Sequence, residues 1–177
     1  FTQTSGALDL GSTSLIVTGL YTQTAGSVTQ GANNVTVTGA FVRVAGTFSQ
    51  TTGSLIANTS IDQGATAFAI DNLRYGGAGT ALGGIGVVTV GETLFLDGSG
   101  ALDITNPGTT VVLALAADVA VSYARGTFNV APTMAGAITL SAVTGTGTTV
   151  IIPALVWPAA ATVNTFTVNR AANTQIP

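Results

Sequence analysis

Seven carboxylates and four guanidiniums carry nearly all the charge of this chain, and no His, Cys or Lys stands beside them. That set narrows the chemistry. Without His there is no imidazole for acid–base work, and without Cys there is no thiolate, disulfide or common zinc site. What remains is carboxylate chemistry. Two carboxyls held a few ångströms apart can act as acid and base on a glycosidic bond. The candidate pairs are Asp9 with Asp103 and Asp62 with Asp71. Each reads more simply as solvated turn or surface acids. Enzymes of this kind gather acids and Arg on one exposed face, whereas residues 1–60 carry one acid, Asp9, and one Arg, Arg43. The expectation is a protein that is not an enzyme, with no catalytic residue, cofactor or metal site.

Other motifs are weaker. GGAGTALGGIG (76–86) is rich in Gly, but it contains no G-x-G-x-x-G, and a P-loop requires Lys. A loop or irregular coil is expected there. Four scattered Arg at a net charge of −3 cannot build the basic patch that phosphates demand, so nucleic acid is not an expected partner. Thr2/Thr4 and Thr22/Thr24 suggest a flat hydroxyl array, as on ice-binding solenoids. Val42 and Val44 replace them in the next copy, which argues for half-buried positions. Trp157, Tyr21, Tyr75 and Tyr123 could stack on carbohydrate but read first as packing aromatics. Asn34-Val-Thr36 and Asn58-Thr-Ser60 are glycosylation sequons, so Asn34 and Asn58 are candidate modification sites.

The elements behind these residues come from a repeat. FTQTSGALDLGSTSLIVTGL (1–20), YTQTAGSVTQGANNVTVTGA (21–40) and FVRVAGTFSQTTGSLIANTS (41–60) align without a gap. One column holds Phe1, Tyr21 and Phe41, and another holds Gly6, Gly26 and Gly46. Leu8, Val28 and Phe48 share a third, and Leu15, Val35 and Leu55 a fourth. Apolar and polar residues alternate, as at Leu15, Val17 and Gly19 against Ser14, Ile16 and Thr18. Period two means strand, and enrichment in Thr, Val and Ile agrees. Each unit reads as strand, turn, strand, turn, strand, with Gly at columns six and nineteen making the turns. A fixed short period of strands indicates a solenoid, in which each unit buries its apolar face on its neighbours. Coils would lie about 4.8 Å apart, so that columns stack into ladders. Phe1, Tyr21 and Phe41 would form an aromatic ladder near a corner, with Gln3, Gln23 and Arg43 pointing outward.

The period blurs after residue 60. FLDGSGALDI (95–104) still matches FTQTSGALDL (1–10) at six of ten positions. RGTFNV (125–130) echoes AGTFSQ (45–50), and GAITL (136–140) echoes GALDL (6–10). Insertions between coils would explain the irregular spacing. TTVVLALAADVAVSYA (109–124) has Ala enough for a helix but Val and alternation that favour strands. Pro153 and Pro158 bracket Trp157 and mark a corner or edge.

Composition supports a packed chain. Hydrophobic residues make up 46% and charged residues 6%, against roughly 25% charged in ordinary domains. Solubility then rests on Thr, Ser, Asn and Gln. The longest apolar run, Val111–Ala117, is too short to span a bilayer. The chain starts at Phe1, in phase with the repeat and without a signal peptide. It closes at Ile176-Pro177 without a polar cap. Capping logic predicts that each end is covered by another copy or by the rest of a longer protein. Head-to-tail stacking of that kind builds a filament.

Repeats of the form F-T-Q-T-x-G-x-hydrophobic, followed by L-x-V-x-G, resemble the very large secreted adhesins of Gram-negative bacteria. The segment 158–176, PAAATVNTFTVNRAANTQI, resembles a linking coil of such proteins. The broader class is similar to filamentous-haemagglutinin-type and autotransporter β-helices. The resemblance covers most of 1–60, 95–104 and 158–176. It implies a right-handed parallel solenoid on the cell surface or outside the cell, and it carries over no catalytic or binding motif.

The sequence therefore predicts an all-β, right-handed parallel β-helix (β-solenoid) with coils of about twenty residues and a loop-rich middle. Residues 1–60 would be a regular three-coil solenoid, 61–86 an irregular Gly-rich coil or loop, and 87–177 a continuing solenoid with insertions, all in one domain. The competing architecture is a β-sandwich or jelly-roll pilin-like subunit that donates a strand to its neighbour. The function expected is a non-catalytic structural segment of an extracellular filament or adhesin. Its partners would be itself and surface carbohydrate. The alternatives are a carbohydrate-active β-helix enzyme and an ice- or surface-binding solenoid.

Overall fold

Short alternating segments cannot bury both faces alone, and here they solve this by stacking on copies of themselves. The computed structural model describes residues 1–76, 81–84 and 86–96, and beyond them 101–102, 105–106, 109–110, 112–115, 119–123, 127–128, 133–134, 138–143, 150–151, 163–169 and 174–175. Among these residues there is no helix.

The first coil contributes β1 (Thr2–Gln3), β2 (Ala7–Asp9) and β3 (Leu15–Val17). The second contributes β4 (Tyr21–Gln23), β5 (Ser27–Thr29) and β6 (Val35–Val37), and the third β7 (Ala40–Arg43), β8 (Thr47–Ser49) and β9 (Leu55–Ala57). Every coil thus has three sides. Neighbouring coils pair in parallel with an offset of twenty on each side: Tyr21 with Phe41, Val28 with Phe48 and Val35 with Leu55. Parallel pairing at one repeat length rules out the sandwich alternative and establishes a β-solenoid. The corners stack as well, with Ser27 N donating to Gly6 O and Thr47 N to Gly26 O, both at 2.9 Å.

Column six shows why Gly recurs. Gly6, Gly26 and Gly46 have φ of 76°, 79° and 94°, the left-handed region that side chains resist. A Cβ on Gly26 would also run into the carbonyl oxygen of Gly6 directly below.

The fourth coil changes the plan. It holds β10 (Ser60–Gln63) and β11 (Phe68–Tyr75), and the fifth holds β12 (Ala81–Gly84) and β13 (Val87–Leu96). On the first side the stack continues through β1, β4, β7, β10 and β12. Five stacked strands make four full turns. The Gly-rich stretch 76–86 therefore contains a strand in register, Ile61 opposite Leu82; residues 77–80 and 85 lie outside the described residues. On the other two sides the corner disappears. β11 runs without interruption where the third coil had two strands and a turn, and Leu55 pairs with Leu73 at an offset of eighteen. β13 repeats the long strand, with a register shift between Ile70 and Asn72 where the two pair.

Later strands are β14 (Ala101–Leu102), β15 (Thr105–Asn106), β16 (Thr109–Thr110), β17 (Val112–Leu115), β18 (Ala120–Tyr123), β19 (Thr127–Phe128), β20 (Thr133–Met134), β21 (Ile138–Val143), β22 (Val150–Ile151), β23 (Val163–Asn169) and β24 (Thr174–Gln175). The third side continues from β13 through β18 and β21 to β23, while β17 stacks on the first half of β13 and β20 on β17. Offsets now range from 19 (Val121 to Leu140) to 27 (Leu94 to Val121). Within 109–124 the described segments are strands, as the Val content favours. The echoes of the repeat also find each other: Ala101 pairs with Thr127 and Leu102 with Phe128, as Leu8 pairs with Val28 and Val28 with Phe48. The echo at 136–140 behaves differently, since Ile138–Val143 joins the third side. Only β15 and β16 pair antiparallel among the described strands.

The core fills the coil interior with Tyr21, Val28, Val35, Phe41, Leu55, Ile61, Phe68, Leu73, Val88 and Leu94. Each large aliphatic or Phe side chain buried this way is worth about 1.5–3 kcal/mol. The aromatic ladder forms as expected: Phe1 stacks on Tyr21 at 4.8 Å and Tyr21 on Phe41 at 4.6 Å. It extends to Phe68 at 5.8 Å, and Phe48 packs edge-on against Phe41 and Phe68.

Candidate functional site

The most ordered polar arrangement lies inside the solenoid. Gln3, Gln23, Arg43 and Gln63 stack in one column, and their exposures are 7%, 0%, 4% and 1%. The expectation that Gln3, Gln23 and Arg43 point outward is therefore overturned. The reason is alternation: each lies two residues after Phe1, Tyr21 or Phe41, on the same inward face.

Buried amides need partners, and the turn at column six supplies them for the Nε2 groups, while the Oε1 atoms of Gln3 and Gln23 have none among the described residues. Gln3 Nε2 donates to Gly6 O at 3.2 Å and to Ser27 O in the coil above at 2.9 Å. Gln23 repeats this with Gly26 O at 3.5 Å and Thr47 O at 2.9 Å. Each Gln thereby closes its own corner and clips it to the next coil. Arg43 does the same with a longer fork, donating to Gly46 O, to Thr66 O and to Gln63 Oε1. Its guanidinium also lies 5.0 Å from the centre of the Phe68 ring, an attractive cation–π placement. Every acceptor it meets is neutral. Burial lowers the Arg43 pKa, and the nearby Tyr21 phenol offsets part of that. Burial likewise raises the Tyr21 hydroxyl well above its ordinary value, with Arg43 pulling the other way.

A second amide group sits where the fourth coil loses its corner. Gln50 Oε1 accepts from the backbone N–H of Asp71 at 2.9 Å and of Asn72 at 3.0 Å. Gln50 Nε2 donates to Asn72 O at 3.1 Å and to Gln30 Oε1 at 3.0 Å. This side chain stands in for a peptide group of the missing turn. Gln30 below donates to Asn33 O at 2.7 Å, and Asn72 above donates to Glu92 Oε2 at 3.2 Å. Sequence reasoning missed both groups. The parity of Gln with the aromatic column was the signal for the first. For Gln30 it was the alternation Val28, Thr29, Gln30.

Among the described residues the outer surface gathers no comparable constellation. Asp9 is exposed and accepts from Gly11 N at 2.9 Å in its own turn. Asp62 is half-buried on the first side and accepts from Ser60 Oγ at 3.4 Å. Asp71 is half-buried at the merged corner, on a different side of the coil from Asp62. Asp103 lies outside the described residues. Among the described residues no group of three or more His, Cys, Asp or Glu is placed to hold a metal ion. No described helix is long and apolar enough to cross a membrane.

Of the two Thr columns, one is half-buried as expected, at Thr22 and Val42, and the other is not. Thr4, Thr24 and Val44 are all exposed, and Val44 is 50% exposed rather than half-buried by neighbours. Thr24 Oγ1 turns back to Gln3 O at 3.3 Å. The regular two-column set is Ser27, Thr29, Thr47 and Ser49 on the second side, bounded below by Ala7 and Asp9. Tyr21 and Tyr75 are buried in the core and present no stacking platform. Tyr123 ends a strand, and Trp157 lies outside the described residues. Asn34 is exposed in a corner, whereas Asn58 is half-buried.

Comparison with known proteins finds no matching family model, curated protein or solved structure.

Proposed function

We propose that this chain is a non-catalytic structural segment of an extracellular or cell-surface fibre of the adhesin-stalk type, built by stacking like coils. One observation carries the reading. What repeats along the axis is what faces inward: the aromatic column, the Gln/Arg column and the Val and Leu columns. On the first and third sides what faces outward does not repeat, as in the register Thr22, Val42, Asp62 or Thr36, Ile56, Arg74, and only the second side keeps a short run of like hydroxyls among the described residues. Repetition that specifies packing and leaves the surface free suits a scaffold better than an array of identical binding sites. Outer hydroxyls also serve the stack, with Thr24, Ser49 and Thr59 each donating to a carbonyl of the coil below. The partners on this reading are further like coils and surface carbohydrate.

Electron microscopy of the assembled material tests it. Fibres whose coils repeat about every 4.8 Å along the axis support the proposal. Discrete particles at every concentration would contradict it. A second reading, surface or ice binding, draws on the hydroxyls of Ser27, Thr29, Thr47 and Ser49. It requires that replacing Thr29 and Thr47 with Val abolish binding to the surface while the fold stays intact.

A further inference from the structure

We propose that Asn34, and not Asn58, is an N-glycan acceptor on the folded solenoid. Both head an N-x-S/T sequon, and the structure separates them. Asn34 is exposed in the corner between β5 and β6. Its Oδ1 accepts from Ser54 N at 3.0 Å, which fixes the amide plane. Its Nδ2 has no partner among the described residues. Glycosylation converts that Nδ2 to a secondary amide and leaves Oδ1 an acceptor, so the Ser54 bond survives the modification. Space is available too, since the residues stacked below and above in the same column are Ser14 and Ser54, both small. The sequon hydroxyl of Thr36 faces outward on β6 and makes no hydrogen bond among the described residues.

Asn58 differs in exposure and in the state of its sequon hydroxyl. It is half-buried. Thr59 beside it is tied to the coil below through Oγ1 to Thr38 O at 2.7 Å. The sequon hydroxyl of Ser60 is engaged with Asp62 Oδ2 at 3.4 Å. Recognition of that sequon would have to break the Ser60–Asp62 bond and fit a transferase over a half-buried amide.

The reaction needs a polyisoprenyl-diphosphate oligosaccharide and its transferase. A bond forms between Asn34 Nδ2 and the anomeric carbon of the first sugar. The bond from that carbon to the diphosphate breaks, the diphosphate leaves with the electron pair, and the amide proton passes to a base on the transferase. The inference does not depend on filament assembly.

The test is expression of the whole chain through a secretory host that supplies both donor and transferase, with intact mass and thermal melting as readouts. The wild type and Asn58→Gln should carry one glycan, Asn34→Gln should lose the added mass, and glycosylated and bare chains should melt together. A bare wild type, a glycan that persists in Asn34→Gln, or a glycan on Asn34 that abolishes the melt would each overturn it.

Discussion

Coils one to three use five residues for the corner between their second and third sides, at 10–14, 30–34 and 50–54, whereas coil four turns the same corner inside a single strand, Phe68–Tyr75. Both arrangements keep the core columns aligned. Val28, Phe48 and Phe68 are twenty residues apart, although Leu55 and Leu73 are eighteen apart. The lesson is that side-chain columns, not corner length, hold the stack together. A corner can shrink provided something else satisfies its backbone groups, and at this position Gln50 does so. The Gln or Arg that closes the first corner persists into coil four, where Gln63 Nε2 donates to Gly64 O and Thr66 O although Thr66 stands in the column of Gly6, Gly26 and Gly46.

The largest expected effect comes from breaking what both regions share. Phe41 stacks between Tyr21 and Phe68 and meets Phe48 edge-on. Phe41→Ala should cost about 3–5 kcal/mol and loosen coils two to four together, as read by chemical denaturation and hydrogen exchange. Protection lost in only one coil would show that the columns are not the common support.

Gln50→Leu should separate the regions. It removes the acceptor for two backbone N–H groups, each left unpaired at about 1–3 kcal/mol. Hydrogen exchange should speed at Asp71 and Asn72 while Tyr21–Gln23 stay protected. Equal loss in both places would contradict the role given to Gln50.

Alkaline pH sharpens the contrast. Burial raises the pKa of Tyr21 in the regular coils and of Tyr75 in the merged ones. A raised folded pKa means the native state holds its proton more tightly than the unfolded chain. Stability is therefore intact below the unfolded value of about 10 and falls as pH climbs above it, by roughly 1.4 kcal/mol per pH unit for each tyrosine. Tyr21→Phe and Tyr75→Phe should each remove about half of that slope in denaturation measured between pH 9 and 11.5. An unchanged slope in either variant would place that phenol in water.

The smallest effect is predicted for Arg43→Gln, which makes the column uniform. The buried guanidinium meets only neutral acceptors, so exchanging it for the Gln found above and below should change stability by less than about 1.5 kcal/mol. A loss above that would mean that Arg43 has an anionic partner.

Much of this was legible in the residues. The gapless alignment of 1–60 specified coil length, the three strands per coil, the aromatic ladder and the Gly turns, because each depends on local alternation and a fixed period. The inward Gln and Arg were not read, although alternation placed them with Phe1, Tyr21 and Phe41. Polarity outweighed parity in strands only two to four residues long. The merged corner was hidden for a different reason. It depends on a Gln side chain reaching residues 21 and 22 positions ahead in sequence, and no local pattern reports that. The strand Ala81–Gly84 was obscured by Gly, whose conformational freedom argues for a loop until a neighbouring strand supplies the ladder.

The central claim is the in-register parallel stack, and paired cysteines test it most directly because the chain has none of its own. Ala7, Ser27 and Thr47 are successive partners on the outer face of the second side. Adjacent coils place their Cα atoms about 4.8 Å apart, within the span of a disulfide, and alternate coils at about 9.6 Å, beyond it. Oxidation should cross-link Ala7→Cys with Ser27→Cys, and Ser27→Cys with Thr47→Cys, but not Ala7→Cys with Thr47→Cys. Cross-linking of the distant pair, or of neither adjacent pair, would contradict the solenoid.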